Sequence, residues 1–192
     1  MRKGRAKKIS LILALALFSI GASAMFWPFK KYDVEMSPEV RGVITLDGVP
    51  QAGLTVYREV FYEGYKKGKI IKDVVQTNQF GEFYFSSRFV KSSAPQDIFG
   101  QNLKVRQFIF VEFINNKYKL WGASVPPRSN KKLLLMLNDM KCELTSVQCI
   151  HQVDLSPDGP PISVHSICDW KADYISTYRY DENTDNYIKE KD

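Results

Sequence analysis

Five residues able to carry chemistry crowd one short stretch: Ser163, His165, Ser166, Cys168 and Asp169. A thiol beside an imidazole is the pairing of a nucleophile with its base, and both groups fall in one short predicted strand. No G-x-S-x-G turn accompanies them to supply an oxyanion hole. A disulfide with an ordinary histidine fits the stretch better. The chain is expected not to be an enzyme.

Three cysteines, Cys142, Cys149 and Cys168, lie in the last third of the chain. In an oxidising compartment, one bridge and one leftover thiol is the natural count. The expected bridge is Cys142–Cys168, because Lys141 to Leu144 and Ser166 to Trp170 read as compact segments that could lie side by side. It would be worth about 3 kcal/mol through loop entropy. Cys149–Cys168 stays open as the alternative, and three free thiols would mark a reducing compartment. With only His151 and His165 to join the cysteines, no zinc-ligand spacing arises. Asp154, Asp158 and Asp169 lack the spacing of a calcium loop. No metal and no cofactor is expected.

Two surfaces are candidates for a partner. Lys66, Lys67 and Lys69 cluster on a predicted hairpin tip, where they would meet an anion or simply face solvent. Tyr174, Tyr178, Tyr180 and Tyr187 could form a sugar- or protein-binding surface, or pack a C-terminal extension onto the body of the protein.

Where the chain works is suggested by its first 24 residues. Arg2, Lys3, Arg5, Lys7 and Lys8 precede an apolar core from Ile9 to Ile20, and Gly21-Ala22-Ser23-Ala24 places small residues where a signal peptidase reads. Cleavage at Ala24/Met25 and a periplasmic product are expected. One alternative is an uncleaved anchor, since the uncharged run extends from Ile9 to Phe29. The other is initiation at Met25, giving a cytoplasmic protein. The net charge of +6 mostly reports this segment: without its five basic residues, 22 bases face 21 acids. A nucleic-acid partner is not expected. The partner would be another protein or an envelope component, with membrane contact only if the leader is retained.

The elements that would position these groups are strands. Val40 to Leu46 reads as one, Asp47-Gly48 as a tight turn and Leu54 to Tyr62 as a second strand. The second strand puts Leu54, Val56, Arg58, Val60 and Tyr62 on one face, with Arg58 the lone exception on it. Further strands are expected at Ile70 to Thr77, Phe83 to Phe85, Val105 to Ile114 and Tyr118 to Ala123. The centre of Val105 to Ile114 is apolar on both faces and reads as covered on both sides. Ser86 to Asn102 reads as a loop, and Leu133 to Leu137 as strand or helix. Cys142 to Val153 and Val164 to Trp170 complete the strands, and a polar tail begins at Asp173. The regular spacing of short strands predicts an all-β, Greek-key antiparallel sandwich. Its expected core includes Val43, Leu54, Val56, Phe83, Phe85, Ile109, Val111 and Trp121. The expected divisions are a signal peptide over 1–24, a lead-in over 25–38, the sandwich over 39–170 and a tyrosine-rich tail over 171–192.

Gly42-Val43-Ile44, Asp47-Gly48-Val49-Pro50, Gly53-Leu54-Thr55-Val56 and Thr77-Asn78-Gln79-Phe80-Gly81-Glu82-Phe83-Tyr84-Phe85 together resemble the carboxypeptidase-regulatory-like domain, a transthyretin-like sandwich. Ser37 to Val40, Tyr118 to Trp121 and Ser166 to Trp170 look like a family of short bacterial envelope proteins built on that domain. The resemblance implies the fold and leaves the activity open, because this fold hosts stabilising, carbohydrate-binding and adhesion modules. Hydrolases of purine degradation share the broad fold, but their histidines and C-terminal tetrapeptide are missing here. The expected function is a non-enzymatic exported binding or structural module of the envelope. The alternative is a periplasmic immunity protein that neutralises a delivered toxin.

Overall fold

The computed structural model describes residues 31–92 and 103–190. The expected signal peptide, its cut at Ala24/Met25 and the alternative anchor lie outside the described residues. Among the described residues, no helix is long and apolar enough to cross a membrane.

The chain forms a β-sandwich. One layer has five strands: β2 (Val40–Leu46), β3 (Val49–Pro50), β6 (Glu82–Phe85), β10 (Met140–Glu143) and β13 (Cys168–Asp169). They run in the order β13-β10-β2-β3, with β6 also paired to β2. The other layer has eight strands: β4 (Thr55–Tyr62), β5 (Ile71–Gln76), β8 (Val105–Phe113), β9 (Asn116–Val125), β11 (Cys149–Val153), β12 (Ile162–Ser166), β14 (Ile175–Asp181) and β15 (Asn186–Lys189). Their order is β15-β14-β11-β12-β9-β8-β4-β5. A separate two-stranded ladder joins β1 (Tyr32–Ser37) to β7 (Arg88–Ser92). Pairing is antiparallel except between β2 and β10.

Alternating side chains of the two large sheets build the core. Val40, Ile44, Phe83, Phe85, Met140 and Cys142 enter from one sheet, and Val56, Val60, Ile109, Val111, Trp121 and Val164 from the other. Six of the eight expected core residues are buried, and Leu54 packs against the core from a half-buried position. Val43 is the exception. It pairs with Glu82 and Lys141, whose side chains face outward, while its neighbours Gly42 and Ile44 take the inner positions. The register of β2 is therefore one residue out of phase with the expectation, and a shift of one exchanges the faces.

The Asp47-Gly48 turn forms as expected, with both residues in the left-handed region (φ 51° and 76°), which suits a two-residue hairpin. Thr77 ties the loop before β4 in place. Its hydroxyl accepts from the Leu54 amide at 2.9 Å and donates to the Gln51 carbonyl at 2.6 Å. The next turn is held by Asn78, whose side-chain oxygen accepts from the Phe80 and Glu82 amides.

Several expected elements differ. The lead-in carries β1, and the loop from Ser86 carries its partner β7. Leu133 to Leu137 belongs to helix α1 (Lys131–Asn138), capped by the Asn130 side chain on the Lys132 and Leu133 amides. Leu133, Met136 and Leu137 bury its inner stripe. Cys142 to Val153 divides into β10 and β11, which belong to different sheets, and Val164 to Trp170 divides the same way into β12 and β13. The tyrosine-rich tail carries β14 and β15 and extends the eight-stranded sheet beyond β11.

Candidate functional site

Cys142 and Cys168 are directly opposed in the β10–β13 ladder and joined by a disulfide, with Cα atoms 4.0 Å apart. Both are buried, so the bridge sits inside the sandwich. Cys149 is a free, buried thiol that burial holds above its ordinary pKa. With its sulfur in the bridge, Cys168 has no thiolate to offer as a nucleophile. His165 sits on β12, in the eight-stranded sheet, whereas Cys168 belongs to the opposite sheet. Ser166 is buried, accepting from the Cys168 amide and donating to the Leu120 carbonyl. Ser163 shares the half-buried side of β12 with His165. Among the described residues, no cluster of three or more histidine, cysteine or acidic side chains could hold a metal ion.

His151 is 1% exposed and packs edge-on to Trp170. Its Nε2 faces the Cys168 carbonyl at 3.1 Å, which only an N–H can satisfy, so Nδ1 accepts from the Thr177 hydroxyl at 2.9 Å. Burial pulls its pKa down and keeps the ring neutral. It is a core group with both nitrogens used.

The expected partner residues do not converge. Lys66, Lys67 and Lys69 are exposed on the tip between β4 and β5, where Lys66 lies over the Tyr65 ring. Tyr174 leaves the tyrosine cluster: it packs against the core beneath the Lys132 ammonium at the start of α1. Tyr178 and Tyr180 stay together on the outer side of β14. Tyr180 meets Tyr187 edge-to-face, and Tyr178 is opposed by Ile150 and Lys189.

That outer side continues across the whole eight-stranded sheet and holds residues not expected at any site. The register sets Glu59, Phe108 and Gly122 side by side on β4, β8 and β9. Phe108 is 40% exposed at the middle of the face. Next to it Tyr57 and Phe110 stack with centroids 5.1 Å apart, and the Lys117 ammonium sits 3.5 Å above the Phe110 ring. A groove of about 450 Å³ runs along one side of Phe108, lined by Glu59, Phe110, Lys117, Lys119 and Gln148. A second, of about 380 Å³, lies on the other side, lined by Lys104, Gly122, Ser124, Ser163 and His165. A Cβ on Gly122 would come within 2.8 Å of the Lys119 side chain, so glycine leaves room for that lysine to cross. Burial and the Lys119 charge both lower the pKa of His165. Glu59, the one acid lining either groove, is paired with Lys72 at 2.7 Å. Cations and aromatic rings therefore dominate the first groove, while the second sets Lys104 among small, apolar and hydroxyl side chains.

One signal in the sequence pointed here: the run Phe108–Val111, apolar on both faces. It reads as a strand covered twice, but Phe110 is covered by Tyr57 and Lys117 rather than by another layer. Phe108 keeps 40% of its surface exposed between the two grooves. The cross-strand neighbours that turn this ring into the ridge of a site come from β4, β9 and β12, and sequence order does not disclose them.

Comparison with curated proteins and with solved structures finds no match. A domain of unknown function, DUF6795, matches residues 40–147, from the start of β2 to the loop before β11. The match takes in Phe108, Lys117 and Lys119 and stops short of His165 and the tyrosines of β14. With more than half its length in that match, the chain belongs to the DUF6795 family.

Proposed function

We propose that the chain is a non-enzymatic, exported binding module of the bacterial envelope, and that the outer face of the eight-stranded sheet is its binding surface. The observation that carries this reading is the part-exposed Phe108 ridge with a groove on each side, one lined by Lys117 and Lys119 and the other by Lys104. Beside the stacked Tyr57–Phe110 pair, the 40% of Phe108 that stays exposed at the centre of the sheet offers apolar surface for a partner to cover. The buried disulfide supports the exported part of the reading, since such bridges persist in oxidising compartments.

The test is fractionation of cells producing the full chain. A product starting at Met25 in the periplasmic fraction, sedimenting with envelope material, is the expected result. Phe108→Asp combined with Lys117→Glu should leave the circular dichroism and melting profile intact and release the protein from that material. Undiminished sedimentation of the folded double variant would overturn the assignment of the surface.

A further inference from the structure

From the same surface we infer the class of ligand: an acidic oligosaccharide laid across Phe108, with sugar rings in the two flanking grooves and its acidic groups on Lys104, Lys117 and Lys119. The inference rests on the binding reading above and adds the chemistry. Both grooves fall at the small end of the range of about 300–1,000 Å³ typical of small-ligand sites, at about 450 and 380 Å³. The first joins Lys117 and Lys119 to the Gln148 amide, and the second joins Lys104 to the hydroxyls of Ser124 and Ser163.

This mixture matches a charged sugar chain. The flat face of a pyranose carries C–H bonds that pack on an aromatic ring. Its hydroxyls need donors and acceptors at the rim, which Gln148, Ser124, Ser163 and His165 provide. Lysine ammoniums meet carboxylate or phosphate as point charges and demand no fixed fork geometry, so they suit a flexible polyanion. A neutral glycan would leave three lysines without counter-charge. A nucleic acid would use the same stacking and charge, but the disulfide favours a compartment in which nucleic acid is not the usual partner. An acidic protein would gain little from two small grooves divided by a single ring.

Titration calorimetry on the full mature chain tests the proposal with four probes: an octagalacturonate, a neutral maltooctaose, a single-stranded oligothymidylate and polyglutamate. Octagalacturonate is expected to bind, with an affinity that falls as salt rises. The Lys117→Gln, Lys119→Gln double variant should weaken it about tenfold. Phe108→Ala should weaken it by a comparable factor, about tenfold, while Phe108→Tyr, which keeps the ring, retains binding. Melting curves show that each variant is folded. Maltooctaose binding as tightly as octagalacturonate would overturn the acidic-ligand inference and leave the binding surface standing. So would preference for oligothymidylate or polyglutamate, which would identify a nucleic acid or an acidic protein as the partner. No binding of any probe, with the Phe108→Asp, Lys117→Glu variant still sedimenting with the envelope, would overturn both readings.

Discussion

Arg58 is 2% exposed, on the face of β4 that is otherwise apolar. Its Nε and Nη2 donate to one oxygen of Asp73 at 3.0 and 2.7 Å, and its Nη1 donates to the Ser86 carbonyl and the Ser37 hydroxyl. The Phe85 ring lies 4.8 Å away. One side chain thus links β4 and β5 of the larger sheet to β1 and to the end of β6. Burial lowers its pKa, and the hydrogen bond and charge of Asp73 oppose that shift. Removing the partner of a buried charge is costlier than replacing the charge by an apolar group. Asp73→Ala should therefore destabilise the protein by about 3–5 kcal/mol, and Arg58→Met by less. Urea titrations of the two variants check the order. The lone charge on an apolar face was legible in the sequence. Its partners at positions 37, 73 and 86 were not, because they come from three other segments.

At the scale of elements, the disulfide joins strands that would otherwise be short. β10 has four residues and β13 has two. The bridge closes a separation of 26 residues across which the chain leaves one sheet, forms β11 and β12 in the other, and returns. Cys142→Ala with Cys168→Ala should lower stability by about 3 kcal/mol, an entropic estimate. Calorimetric melting of the variant against the wild type measures it. The pairing was legible from two compact cysteine-bearing segments. The split of each segment between two sheets was hidden, since alternation of apolar residues continues through a crossing without marking it. The tail was equally opaque: β14 is half-buried and β15 exposed, and they form because β11 offers an edge to β14 and β14 offers one to β15.

For the molecule as a whole, acid stability should fall in two stages. His151 is held below its ordinary pKa of 6.5 by burial, so the unfolded chain takes up a proton first. Its contribution is full above pH 6.5 and declines as the pH drops below that value. Glu143 titrates at the other end of the acid range. Desolvation pushes its carboxyl up, but bonds from the Gly48, Thr145 and Asp47 amides and the Thr45 hydroxyl outweigh this and lower it from 4.5 to about 2. That contribution is present above pH 4.5 and is lost as the pH falls through about 2. Glu143→Gln should reduce stability at neutral pH and flatten the lower limb, leaving the upper limb unchanged. Chemical denaturation at a series of pH values from 7 to 2 is the measurement.

The amino-acid sequence by itself determined that this chain folds into strands, where most of them run and that Cys142 and Cys168 lie in segments able to pair. Those properties follow from local rules: the two-residue period of a strand, the backbone freedom of glycine in turns and the reach of a thiol. The tertiary structure alone decided which strands share a sheet and which face stays open. Phe108 illustrates the difference. Its residue type and neighbours in sequence describe a buried strand, and only the layering shows that its ring stays partly exposed on the outer side. Side chains of a strand meet their cross-strand neighbours at distances set by register, and register is settled by packing of the whole core. The candidate surface therefore emerged from chain segments far apart in sequence, while the scaffold beneath it was already written in the local pattern.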